Sequence, residues 1–239
     1  MTGTIINVIT VIIGGMLGAR LGARLPERVR VTVINGIGLL TLVIGMQMAL
    51  TTRNILIVMA SVLLGGILGE AMGIHARLDQ IGNNLQARFA RGDEKNNFTR
   101  GFITASLVFC VGPLTLLGSI QDGLLGDYKL LAIKSLLDAF AGMAFASTLG
   151  VGVVFAALTV FVYQGGIALA ARLFGSALGA VTRDTPWVIE MTATGGVLIL
   201  GIGLILLELK PVRVANLLPA IVIAPIIVTA LDFFKIILP

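Results

Sequence analysis

The chain has 239 residues, 57% of them hydrophobic and 12% charged, with a formal net charge of +5. Soluble domains carry about 25% charged residues, so a water-facing globule is excluded. The apolar runs are long and do not alternate, which leaves α-helices rather than a β-barrel to satisfy the backbone in lipid.

A crossing takes roughly 20 apolar residues, and about eight such spans fill the chain without room for a second domain. Span 1 is Ile5–Leu21, and its opening lacks the basic stretch of a secretory signal, so it reads as a retained span. Span 2 is Val31–Leu50, and span 3 is Ile55–Met72 after a short turn at Thr51–Asn54. A hydrophilic stretch from His75 to Arg100 follows, in which Leu78, Ile81, Leu85 and Phe89 recur at helical spacing among Arg77, Arg88 and Arg91. This is an amphipathic helix suited either to a membrane surface or to packing on the rest of the protein. Span 4, Phe102–Ile120, is interrupted at Gly112-Pro113, where a re-entrant course would alter the count. Spans 5 and 6 are Leu130–Leu149 and Val151–Leu173, span 7 is Trp187–Leu207, and span 8 is Val214–Leu238.

Eight crossings put Arg20, Arg24, Arg28, Arg30, Arg77, Arg88, Arg91, Lys95, Arg100, Lys210 and Arg213 on one face. The other face holds Arg53, Lys129, Lys134, Arg172, Arg183 and Lys235. The positive-inside rule makes the first face cytoplasmic and both termini external, in an inner or plasma membrane. The same rule, rather than nucleic acid, accounts for the net positive charge.

The sequence also resembles itself. Gly14-Gly15 with Ala19-Arg20-Leu21 resembles Gly165-Gly166 with Ala171-Arg172-Leu173. Gly38 and Gly45 match Gly196 and Gly203, and Asn54-Ile-Leu56 matches Asn216-Leu-Leu218. Spans 1–3 thus repeat as spans 6–8, and an odd number of intervening crossings inverts the second copy. The expected organisation is a single all-α transmembrane domain over 1–239. Repeat one covers 1–73, a cytoplasmic amphipathic loop 74–100, the central spans 101–150 and repeat two 151–239.

There are 30 glycines. Two runs, Gly14, Gly18, Gly22 and Gly65, Gly69, Gly73, have fourfold spacing, which places each on one helix face and predicts close helix seams. Such seams lie within a subunit or between subunits of a homo-oligomer.

An ionisable group at membrane depth costs about 2.5–3.5 kcal/mol on insertion scales, so each needs a reason. Asp138 lies near the middle of span 5, one helical turn after Lys134, and the two can pair. They either bind a solute, ion or proton or form a structural pair, with Lys134 snorkelling outward. Pro113 frees a carbonyl in span 4, and either Thr115, Ser119 and Gln121 line a polar cavity with it or the proline is a kink with no ligand; Asp122 stands near the outer end, where water can reach it. Asn35 in span 2 and Gln164 in span 6 either face the same cavity or bond neighbouring helices. Glu190 lies one turn into span 7, within reach of water; Glu70, Trp187 and Tyr128 suit the membrane interface. His75 has no partners at metal-ligand spacing, and no phosphate loop or catalytic constellation is present, so neither an enzyme nor a cofactor nor a metal is expected.

Taken together, Phe109–Gly123, Lys134-Ser-Leu-Leu-Asp-Ala139, Tyr163-Gln-Gly-Gly166 and the opening Gly3–Val8 resemble the bacterial membrane-protein family catalogued as domain of unknown function 554. The likeness covers essentially the full chain and implies a membrane location. From the residues themselves, the expected activity is that of a secondary transporter of a small polar solute or ion, working by alternating access between inverted repeats. A passive channel and a non-transporting scaffold or sensor are the alternatives. The expected partners are the lipid bilayer and the solute or ion, with no nucleic acid.

Overall fold

The computed structural model describes residues 1–23, 26–89, 95–174, 181–182 and 184–233. Arg24, Arg91, Arg183, Lys235 and the end of span 8 lie outside them, and of Pro113 only the backbone is described. Among the described residues there is no strand. The helices are α1 (Thr2–Gly22), α2 (Glu27–Ala49), α3 (Ile55–Met72), α4 (Ile74–Phe89), α5 (Lys95–Cys110), α6 (Pro113–Leu125), α7 (Lys129–Leu149), α8 (Ala156–Phe174), α9 (Pro186–Leu206) and α10 (Pro219–Phe233). Short 3-10 turns at Val151–Phe155 and Val214–Leu217 lead into α8 and α10. Among the described residues, seven segments are long and apolar enough to cross a membrane, and α5 with α6 makes an eighth if that pair, bent by 63°, is one span.

The chain divides into two compact units, one of Met1–Ile37 with Asp79–Val181, the other of Gly38–Leu78 with Thr182–Pro239. In the first, α1 lies parallel to α7 because Gly14, Gly18 and Gly22 have no side chain to hold the backbones apart. A methyl group at these positions would overlap the carbonyl oxygens of Ala139, Met143 and Ser147 respectively. The opposite side of α1 exposes Ile5, Ile9, Ile13 and Leu17, an apolar stripe that suits lipid. Antiparallel to α1 runs α8, with Thr4 beside Gly165 and Gly15 beside Val154. Helix α4 docks on α5 through Gly82, against Thr99 and Phe102, and through Asn83 and Gln86, whose side chains each lie 2.9 Å from the Thr99 hydroxyl. Its apolar Ile81 stays outside that contact, 45% exposed.

In the second unit, α3 and α10 run antiparallel, Gly65 against Ala220 and Gly69 against Asn216. The same holds for α2 and α9, where Gly45 meets Gly196 and Gly38 meets Gly203. Ile57, Ala224 and Val228 form a core that Trp187 packs against, so this indole is partly buried inside the unit. The glycine seams are therefore contacts within one chain. Gly73 departs from the expectation: it has φ +61 and nothing within 4 Å of a Cβ position, so it caps α3 in the left-handed region instead of packing.

Candidate functional site

The polar residues of the first unit gather where the α1–α7 seam stops being glycine. Followed back from Gly14 at helical spacing, the seam face of α1 continues as Val11, Asn7 and Thr4, each with 0% exposure. On α7, Lys134 and Asp138 stand one turn apart, and both are buried. Asn7 Nδ2 donates to Asp138 Oδ2 at 3.0 Å, and Lys134 Nζ donates to the same oxygen. Lys134 therefore does not snorkel. Its ammonium lies 6.0 Å from the centre of the Phe109 ring, which in turn packs against Phe145. Two charges removed from water are tolerable only when paired and hydrogen-bonded, and this carboxylate has both a counter-charge and an amide donor.

The break in span 4 borders this core. Helix α5 ends at Cys110 and α6 begins at Pro113, whose missing N–H would have no partner in a first turn. Thr115 Oγ1 donates to the Phe109 carbonyl at 3.0 Å, satisfying an oxygen that the break would otherwise strand. One turn further on, Ser119 is fully buried, while Gln121 is half-buried. Asp122 is not solvated as its place near the end of the span suggests. It is 3% exposed and accepts the Gly3 N–H at 3.0 Å, with its other oxygen 3.0 Å from the Met1 amine. It therefore caps the start of α1 from another helix and fixes α6 against the turns that carry Thr4 and Asn7.

On helix α8, Gln164 is fully buried and adjacent to Gly165, which faces the Thr4 side chain across the α1 contact. Five side-chain atoms here have no protein partner: Thr4 Oγ1, Asn7 Oδ1, Ser119 Oγ, and both Oε1 and Nε2 of Gln164. An unsatisfied buried polar atom costs about 1–3 kcal/mol. Four such residues thus stand buried on α1, α6 and α8 of the unit that holds the charged pair.

Of the residues expected to share a site, Asp138, Lys134, Ser119 and Gln164 are buried together in this unit, with Thr115 at the neighbouring break. Asn35 is not: it lies on an exposed face of α2. Glu190 is 3% exposed rather than water-facing, and it belongs to the second unit. There its carboxylate accepts from the Thr52 hydroxyl at 2.6 Å and from the N–H groups of Arg53 and Asn54 at 2.8 and 3.2 Å, which anchors the α2–α3 turn. Glu70, at the far end of α3, receives Arg213 Nη1 at 2.6 Å and the Asn216 amide. Thr4 and Asn7 were not expected; the signal for them was the spacing of the Gly14, Gly18, Gly22 face, which continues onto them.

Compared with known proteins, the chain matches the family model described as "Protein of unknown function (DUF554)" over residues 2–229, and it belongs to that family. It is 30% identical over 239 residues to "Uncharacterized membrane protein YdfK" of Bacillus subtilis (strain 168), covering 98% of each chain. It is 31% identical over 226 residues to "Uncharacterized protein YqgA" of Escherichia coli (strain K12), covering 93% of this chain and 94% of that one. No solved structure matches it. The helices and these relatives together make it a membrane protein.

Proposed function

We propose that this member of the DUF554 family is a secondary transporter of a small polar solute or ion, with its site in the Asp138–Lys134–Asn7 core. The observation that carries the reading is the buried charged pair in one unit with buried polar atoms without protein partners, inside helices long enough to span a bilayer. Ionisable groups at such depth are expensive and mark solute or proton pathways. Asp138 would contact a cation or proton, Lys134 would balance its charge, and no covalent step is involved.

Alternating access between inverted repeats fits the way the matched helices lie. Each sequence pair, α1 with α8, α2 with α9 and α3 with α10, runs antiparallel in direct contact. That is the arrangement of counterparts about a pseudo-twofold axis in the membrane plane. The bias of Lys and Arg supports a bacterial inner membrane with external termini.

The test is flux into proteoliposomes holding the full-length protein, with small polar solutes and monovalent cations offered under imposed gradients. Asp138→Asn is expected to lower flux by about tenfold or more, a loss of about 1.4 kcal/mol. Undiminished flux removes Asp138 from the mechanism. A folded wild-type protein that passes none of these species overturns the transport reading.

A further inference from the structure

We infer that Thr4, Asn7, Ser119 and Gln164 form a binding site for a monovalent cation, an alkali metal or ammonium. The inference rests on the transport reading and names the ion it would use.

The first two turns of α1 carry Thr4 and Asn7 and meet the helices that carry Ser119 and Gln164. A methyl group on Gly165, the neighbour of Gln164, would lie 3.9 Å from the Thr4 side chain. Gly3 donates to Asp122, which shares a helix face with Ser119 one turn earlier. The amide nitrogen of Asn7 is committed to Asp138. That commitment fixes which way the Asn7 amide faces, because only its NH₂ end can donate to a carboxylate. The Asn7 atom without a partner is therefore the carbonyl oxygen, an acceptor.

The unpartnered atoms thus comprise four oxygens, two of them carbonyl and two hydroxyl, against one amide nitrogen. Each hydroxyl can turn its single hydrogen to only one neighbour, so the set remains rich in acceptors. A guest that satisfies it must be cationic or densely supplied with donors. Hard cations take oxygen ligands, and divalent ions draw on carboxylates to offset their charge. Here the two nearby carboxylates already carry donors, Asp138 both Lys134 and Asn7 on its Oδ2, Asp122 the start of α1 on both oxygens. Neutral oxygens alone suit a single positive charge. Asp138 then links the site to the pair, since a cation beside Asn7 competes with Lys134 for the same carboxylate.

The test is the thermal unfolding midpoint of the purified full-length protein in detergent, titrated with sodium, potassium or ammonium chloride against choline chloride at constant ionic strength. At least one of the three is expected to give a saturable rise that choline lacks. Ser119→Ala and Gln164→Ala should each weaken the apparent affinity about tenfold or more, the effect of losing one charge-assisted contact. Ser119→Thr should retain it, and Gln164→Glu, which adds a carboxylate, should tighten it. If Gln164→Ala does not fold, the two Ser119 variants and Gln164→Glu carry the comparison. No saturable shift, or one that all variants leave unchanged, overturns the cation site. Asp138-dependent solute flux in choline, without any cation effect, would sink this inference and leave the transport reading standing. Cation binding lost in the variants, with no flux of any species, would do the reverse.

Discussion

Asp138 and Lys134 make one energetic unit, and a double-mutant cycle measures it. Asp138→Leu leaves a buried ammonium with no counter-charge, and Lys134→Met leaves a buried carboxylate with only the Asn7 amide. Breaking a buried pair from one side costs about 3–5 kcal/mol, so each single variant should lose that much stability. Lys134→Met with Asp138→Leu removes both charges and both desolvation burdens. Such swaps range from neutral to about 1–4 kcal/mol stabilising, against which the Asn7 amide loses its acceptor at about 1–3 kcal/mol. The double variant should therefore lie within about 3 kcal/mol of the wild type, and the coupling between the sites should reach at least that size. Denaturant unfolding in mixed micelles, followed by far-UV circular dichroism, reads all four proteins. Single losses that simply add in the double variant would refute the argument, because the two groups would then be buried independently. The same double variant, folded but inactive in flux, would separate the pair's role in transport from its part in stability.

Gly18→Ala should destabilise the protein by about 1–3 kcal/mol or more, since its methyl meets the Met143 carbonyl oxygen. Gly36→Ala, with nothing within 4 Å, should be harmless or slightly stabilising in the same unfolding assay. Glu190→Ala should strand the Arg53 N–H at a cost of about 1–3 kcal/mol where buried, while the Asn54 N–H keeps the Thr52 hydroxyl oxygen at 3.1 Å. Hydrogen exchange should then quicken at that turn while the amides of α1 and α7 keep their protection.

The spans were legible because a bilayer imposes a length and a polarity that composition records directly. The break in span 4 was legible for a similarly local reason: Pro113 cannot donate, and the residues around it cannot hide that. Lys134 with Asp138 followed from a spacing of one turn. What local chemistry does not encode is the choice of neighbour. Asp138 finds Asn7 on another helix, and nothing in the residues around either one names the other. Asn35 and Asn7 look alike as single amides in apolar runs; only the tertiary packing buries one and exposes the other. Gly73 keeps the fourfold spacing of Gly65 and Gly69, yet the helix ends before it, so its freedom of φ decides its role rather than its lack of bulk. Asp122 lies near the end of a span, where water is the default expectation, until the start of α1 covers it.

The bond between Asn7 and Asp138 joins residues 131 positions apart in the chain. At about 5–20 residues per second, a ribosome needs roughly ten seconds to travel that distance. Throughout that interval the newborn α1 has no α7 to receive it. Its amide lacks an acceptor and its bare Gly14–Gly22 face lacks a partner, while oil or the insertion machinery surrounds both. A seam built on glycine at three successive turns of α1 is thus one that biosynthesis leaves open for more than half the length of the chain.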